Sequence, residues 1–178
     1  MPIVNSLLPN ISGDLQEIAS NLKSVSEKED EIKLLANEIY SSGKTPYFVS
    51  WSPTRSVAYR CKTQFNENSK SFASSGSLSE MDHNELVPMG TEKKIDPFFY
   101  IAFINTFSKR NYFRLELSKK LSGLKIKDIE LKGKSVLSQI LYGVYYGDIL
   151  SYHVALLKGI DPKDVSILEN LKKNLSSQ

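Results

Sequence analysis

Apolar positions recur at intervals of three and four in two stretches near the start of the chain. Leu15, Ile18, Ala19 and Leu22 share one face of a short helix predicted over residues 14–23, with Asp14 and Glu17 in its first turn. Ile32, Leu35, Ala36 and Ile39 form a second stripe that Gly43 stops. Ser26 and Glu29 have the spacing of a capping box, so this helix is expected over residues 27–42. Thr45–Ser50 is a short apolar run between turn signals, suited to a strand buried on both faces of a parallel sheet. Ser52 and Pro53 are expected to open the next helix, serine as cap and proline in the first turn. A strand, tight turn and helix start in this order is a common anion site in an open α/β sheet; without a glycine-rich cradle, an ordinary cap is favoured here. Val57, Cys61 and Phe65 lie four apart on one face of that helix. Arg60 and Glu67, seven apart, share a neighbouring face, with Glu67 near the C-terminal end on the rim of the buried side.

Residues 71–75 are predicted to be a strand, Gly76 a turn, and residues 80–86 a short helix or loop closed by Pro88 and Gly90. After a charged bridge over residues 91–96, Phe98–Ile104 is almost purely apolar and is expected to be a central strand. Residues 108–121 read as a helix ended by Gly123. Residues 125–131 alternate charged with apolar side chains, as an edge strand does. A long helix apolar nearly all round is expected over 134–159, and a terminal one over 165–175 with Ile167, Leu168, Leu171 and Leu175 at helical spacing. Strands alternating with helices point to a parallel sheet between helical layers.

A chain of 178 residues suits one compact domain, able to bury roughly 70% of its unfolded surface. Charge narrows the partners: 23 Lys and Arg against 20 Asp and Glu leave +3 without a basic run, so neither nucleic acid nor an acidic membrane is expected as partner. The lone Cys61 excludes an internal disulfide. The first residues, MPIVNSLLPN, have no basic flank and no long apolar run, so a cytoplasmic protein is expected. The most apolar region, 136–157, is interrupted by Gln139, Gly147, Asp148 and His153, which argues against a membrane span.

The candidate chemistry lies in polar clusters. Residues 60–70 read RCKTQFNENSK, 79–85 SEMDHNE, 145–162 YYGDILSYHVALLKGIDP and 167–175 ILENLKKNL. In this order they resemble the C-terminal half of the bifunctional phosphoglucose/phosphomannose isomerases, of the sugar isomerase (SIS) domain superfamily, from about residue 30 to the end. The resemblance implies an α/β fold, a three-layer αβα sandwich that is SIS-like and flavodoxin-like, with a mainly parallel sheet of about four to five strands. It divides the chain into an N-terminal lead-in with a short helix (1–25) and an SIS-type isomerase domain (26–178).

The activity implied is interconversion of glucose 6-phosphate or mannose 6-phosphate with fructose 6-phosphate through a cis-enediol, with no cofactor and no metal. Such chemistry needs a carboxylate base, a group that titrates near neutrality to open the sugar ring, and a cation for the enediol oxygens. By resemblance these are Glu67, His83 from across a dimer interface, and Lys172, with Lys173 as the adjacent alternative; Arg60, Asn66 and Asn84 are the expected substrate-binding residues. Asp148 and Ser151 also match, as helix-to-sheet or interface hydrogen bonders. His153 reads as a satisfied core histidine, and Tyr142, Tyr145, Tyr146 and Tyr152 as core or dimer surface. Ser79 stands where the family usually has proline. Lys163 stands where it usually has a threonine linked to tolerance of both C2 epimers, a departure that bears on mannose 6-phosphate.

A family member also carries another SIS lobe, which grips the phosphate. Without it, weak or no turnover is expected of the chain alone, and the expected partners are a sugar phosphate and either a second copy or a separate SIS lobe. Two other classes fit the same residues: a non-catalytic sugar-phosphate-binding regulatory or partner subunit, and a structural or dimerisation module.

Overall fold

A computed structural model describes residues 15–91 and 97–176. Its elements in chain order are α1 (Leu15–Ser26), α2 (Glu29–Ser42), β1 (Thr45–Ser50), α3 (Ser56–Asn68), β2 (Ser74–Ser77), α4 (Leu78–His83) and α5 (Leu86–Thr91), then β3 (Phe98–Ile104), α6 (Lys109–Ser122), β4 (Ile126–Glu130), α7 (Val136–Leu157) and α8 (Ser166–Leu175). The predicted lead-in through Asp14 and most of the charged bridge after Thr91 lie outside the described residues.

Four parallel strands run in the order β2-β1-β3-β4. Phe48 pairs in register with Ile101, and Ile101 with Lys127. β1 and β3 are central and apolar on both faces, as their composition predicts, and β4 is the charged edge. Phe48, Ile101, Phe103 and Ile129 point to the face covered by α1, α2, α3 and α7. Tyr47, Val49, Tyr100 and Ala102 point to the face covered by α4, α5 and α6. The result is three-layered. Gly43 and Gly123 take left-handed backbone conformations (φ 64° and 70°) and stop α2 and α6 where the sequence predicted.

Several local expectations give way to longer-range contacts. Ser26 caps nothing: it is the last residue of α1, its hydroxyl meets the Tyr145 hydroxyl at 3.0 Å, and Lys28 precedes α2 without a side-chain cap. Ser52 and Pro53 do not open α3. Thr54 turns back on Trp51, donating both its amide and its hydroxyl to the Trp51 carbonyl, and Asn105 from the end of β3 donates to that carbonyl (3.1 Å) and to the Thr54 hydroxyl (2.9 Å). The closed turn delays the helix to Ser56. Gly76 is strand, not turn, paired with Val49 in β2. A side chain there would collide with the Tyr47 phenol, which crosses it to reach Glu85 at 2.7 Å. Residues 80–86 resolve into the end of α4 and the start of α5, and α5 contains Pro88 and Gly90 instead of ending before them.

The helices differ in how closely they pack. Gly143 and Gly147 let α7 sit directly on α3: a β-carbon at Gly143 would strike Val57 and Leu131, and one at Gly147 would strike the Cys61 sulfur. Tyr142 and Tyr146 are buried in this layer, while Tyr152 is exposed. By contrast α8 buries nothing; Ile167 is 78% exposed and Leu171 56%. No described helix is long and apolar enough to cross a membrane.

Candidate functional site

The end of α3 carries Asn66, Glu67 and Asn68 at the amino edge of the sheet, because a right-handed crossover from β1 returns the chain there before β2. Three polar residues seat it. The Gln64 amide donates to Asp148, Asn68 donates to the Ser151 hydroxyl at 2.9 Å, and the Asn66 side-chain oxygen accepts from the Ala73 amide at 3.1 Å. Asp148 and Ser151 thus tie helix to helix, not helix to sheet. Glu67 is left outward and exposed, not on a buried rim, and no described side chain hydrogen-bonds or ion-pairs with its carboxylate. Arg60, two turns earlier, is likewise exposed. The Lys70 ammonium joins the Glu67 carbonyl (2.6 Å) to the Pro162 carbonyl (3.2 Å), at the root of the helix that bears Lys172. Lys172 and Lys173 are both exposed on α8.

At the opposite end of α3 a crevice of about 910 Å³ opens beyond the carboxyl ends of β1 and β2. Ser52, Arg55, Ser56 and Tyr59 form one wall, Ser75 and Ser77 the floor, Glu80 and Glu85 the other wall. Arg55 precedes α3 without capping it. Burial, then the hydrogen bond to Glu85, pushes the Tyr47 phenol far above its ordinary range, so it stays a donor and fixes that carboxylate. Hydroxyls, one guanidinium and two carboxylates suit a polyhydroxylated ligand. Of these residues the sequence had singled out Ser52 as a helix cap and, within the 79–85 motif, Glu80 and Glu85; Arg55 and Ser56 it had not. The available signal was positional, since carboxyl ends of parallel strands are where open α/β sheets bind ligands.

His83 and Asn84 end α4 near this crevice, on the face of the sheet away from α3's buried side; both are exposed, and Asn84 donates to Glu80. Asp82 anchors them by accepting from Ser118 (2.6 Å) and lying 3.5 Å from Arg114 of α6. Glu67 lies eleven residues beyond Ser56, about 16 Å along the helix at 1.5 Å per residue. One chain therefore brings Glu67 together with the root of α8, and keeps His83 and Asn84 at the other end. His153 is a buried histidine whose Nε2 lies 3.0 Å from Glu29. Among the described residues no three His, Cys, Asp or Glu side chains come together as metal ligands.

Comparison with known proteins matches the chain to a family. Residues 28–175 match the model of the bacterial phospho-glucose isomerase C-terminal SIS domain. A bifunctional phosphoglucose/phosphomannose isomerase from Thermoplasma acidophilum is 38% identical over 176 residues, covering 99% of this chain and 56% of that protein. One from Aquifex aeolicus is 36% identical over 164 residues, covering 90% of this chain and 50% of that protein. The chain thus spans about half the length of the curated relatives it matches. In fold it is similar to a crystal structure of a glucose-6-phosphate isomerase-like protein from Thermus thermophilus, with TM-score 0.67 and 21% identity, covering 89% of this chain and 55% of that one. It is also similar to the C-terminal domain of glucosamine-fructose-6-phosphate aminotransferase from Francisella tularensis, with TM-score 0.68 and 16% identity, covering 84% of this chain and 45% of that one. The matched span covers most of the chain, which belongs to the bacterial phospho-glucose isomerase C-terminal SIS domain family.

Proposed function

We propose that this chain is the catalytic SIS lobe of a sugar-phosphate aldose–ketose isomerase, interconverting glucose 6-phosphate or mannose 6-phosphate with fructose 6-phosphate. The observation that carries the reading is the outward, unpaired Glu67 carboxylate on a residue whose backbone carbonyl is joined through Lys70 to the root of the Lys172 helix. Glu67 takes the proton from C2 of the open-chain aldose and electrons move onto the carbonyl oxygen O1 to form the cis-enediolate; the proton on O2 passes to O1, and as the C2 carbonyl forms the same carboxylate returns its proton to C1. General base catalysis of this kind is worth about 10²–10⁴ in rate. Lys172 supports charge on the enediol oxygens, a contribution of about 3 kcal/mol for a well-placed donor. His83 opens the ring by moving a proton from the anomeric hydroxyl to the ring oxygen.

Since His83 stands at the far end of α3 from its own Glu67, it serves a second copy of the chain, and the working unit is a homodimer. Arg60, exposed on the same helix as Glu67, and Asn66 and Asn84 contact the sugar. The phosphate is gripped by another SIS lobe, so the chain alone turns over weakly or not at all. The test is a coupled assay of fructose 6-phosphate to glucose 6-phosphate, on the chain alone and with the remaining half of the Thermoplasma acidophilum relative supplied in trans. Turnover that disappears in Glu67→Gln while 5-phospho-arabinonate still binds supports the reading; turnover unaffected by Glu67→Gln refutes it.

The crevice beside Arg55 favours one other reading, a non-catalytic sugar-phosphate-binding partner subunit. It predicts thermal stabilisation by sugar phosphates that Arg55→Ala removes, with no turnover in either preparation.

A further inference from the structure

Among the described residues Lys70 is the one non-glycine residue with a left-handed backbone, at φ 48°. A β-carbon is disfavoured there, and glycine would fit without strain. The turn is held from two sides. The Lys158 ammonium, at the end of α7, donates to the Ser69 carbonyl (2.8 Å), the Lys70 carbonyl (3.1 Å) and the Ser71 hydroxyl (2.8 Å), which uses all three of its N–H bonds. Lys70 spends its own ammonium on Glu67 and Pro162. Neither cation forms an ion pair with a described carboxylate.

An ordinary helix end needs less. One cation near the last carbonyls of α3 would answer its dipole. Here two cations bind acceptors on three segments, and the bonds to Pro162 and from Lys158 join parts of the chain some 90 residues apart. Glycine would relax the turn but would lose the link to Pro162.

From this geometry we propose that Lys70 and Lys158 are positioning residues, forming a clamp that fixes the Glu67 end of α3 against the root of α8. The clamp itself is a statement about this chain; that it aligns the base with Lys172 rests on the isomerase reading above. Lys158 immobilises the turn, and Lys70 transmits that position to α8.

The decisive variants are Lys70→Gly, Lys158→Met and Lys158→Arg, compared with wild type by backbone 15N relaxation, melting temperature and steady-state kinetics. Lys70→Gly is expected to melt at the same temperature or higher, because strain is relieved. Its order parameters over residues 161–166 nevertheless fall from about 0.85 toward the flexible range below about 0.6. Lys158→Met loosens residues 67–71 as well, and Lys158→Arg, which keeps donors, restores them. Where the protein turns over, both disruptive variants lower kcat about tenfold or more with KM changed less than about twofold, the pattern of a misplaced base. A purely structural lysine would instead track melting temperature. Wild-type order at Glu67 and at the α8 root in both Lys70→Gly and Lys158→Met overturns the clamp. If Glu67→Gln leaves turnover intact, the isomerase reading fails and the relaxation result alone decides the clamp.

Discussion

The two ends of α3 are built in opposite ways. At its C-terminal end two ammonium groups bond backbone carbonyls, the side-chain amides of Gln64, Asn66 and Asn68 tie the helix to its neighbours, and the Glu67 carboxylate is left free. At its N-terminal end the backbone opens onto a crevice whose polar groups are side chains, and the pinned element is the turn closed by Thr54 and Asn105. A group that must meet a carbon-bound proton gains from being held by backbone-directed bonds, because small misplacements cost rate steeply. A surface that recognises hydroxyls can tolerate mobile side chains. On the isomerase reading proposed above, the held end carries the base Glu67, and the open end carries the crevice and His83.

The sharpest way to break the comparison is complementation. Glu67→Gln and His83→Ala should each lower turnover by about 10²–10⁴. Because the two residues stand at opposite ends, mixing the variants so that copies exchange should restore about a quarter of wild-type activity by assembling one intact site in each mixed dimer. No recovery would mean that both groups act within one chain.

The next effect is on the seat shared by both ends. Gly147→Leu drives a side chain into Cys61 between α7 and α3, with an expected cost of about 3 kcal/mol, or roughly 6–12 °C in Tm by calorimetry. A change under about 2 °C would mean that the helices are not in contact there.

Cys61 itself should make stability pH-dependent. Burial, then the nearby Asp148 charge, pushes the Cys61 thiol far above its ordinary range. The folded state therefore holds the proton that the unfolded chain releases, so this contribution is complete below the usual thiol pKa and declines as pH rises above about 8.5, by at most about 1.4 kcal/mol per pH unit. Urea midpoints from pH 7 to 10 should fall in wild type and fall less in Cys61→Ala. A native protein that reacts with a thiol reagent without unfolding would contradict the burial.

The smallest effect belongs to the open end. Arg55→Ala should shift stability by no more than about 0.5 kcal/mol, as an exposed side chain without a described partner, while weakening whatever binds the crevice. A large loss of stability would show that this end is pinned as well.

What the sequence determined by itself was local or compositional. Helical spacing marked α1, α2 and α8; unbroken apolar runs marked β1 and β3 as central strands; and alternation of charge marked β4 as an edge. Glu67 and His83 were candidates only through the order of several motifs taken together. Periodicity reports how a residue meets neighbours three or four positions away, and that information is present in the chain. Tertiary structure alone decided the rest. It moved the start of α3 from Ser52 to Ser56 through Asn105, turned Gly76 from a turn into a strand residue under Tyr47, gave the Ser26 hydroxyl to Tyr145, and set Glu67 and His83 at opposite ends of the fold. It also aimed Lys158 at three acceptors 87–89 residues away. Such bonds leave no periodic trace, because their partners are chosen by how the layers stack and not by their spacing along the chain.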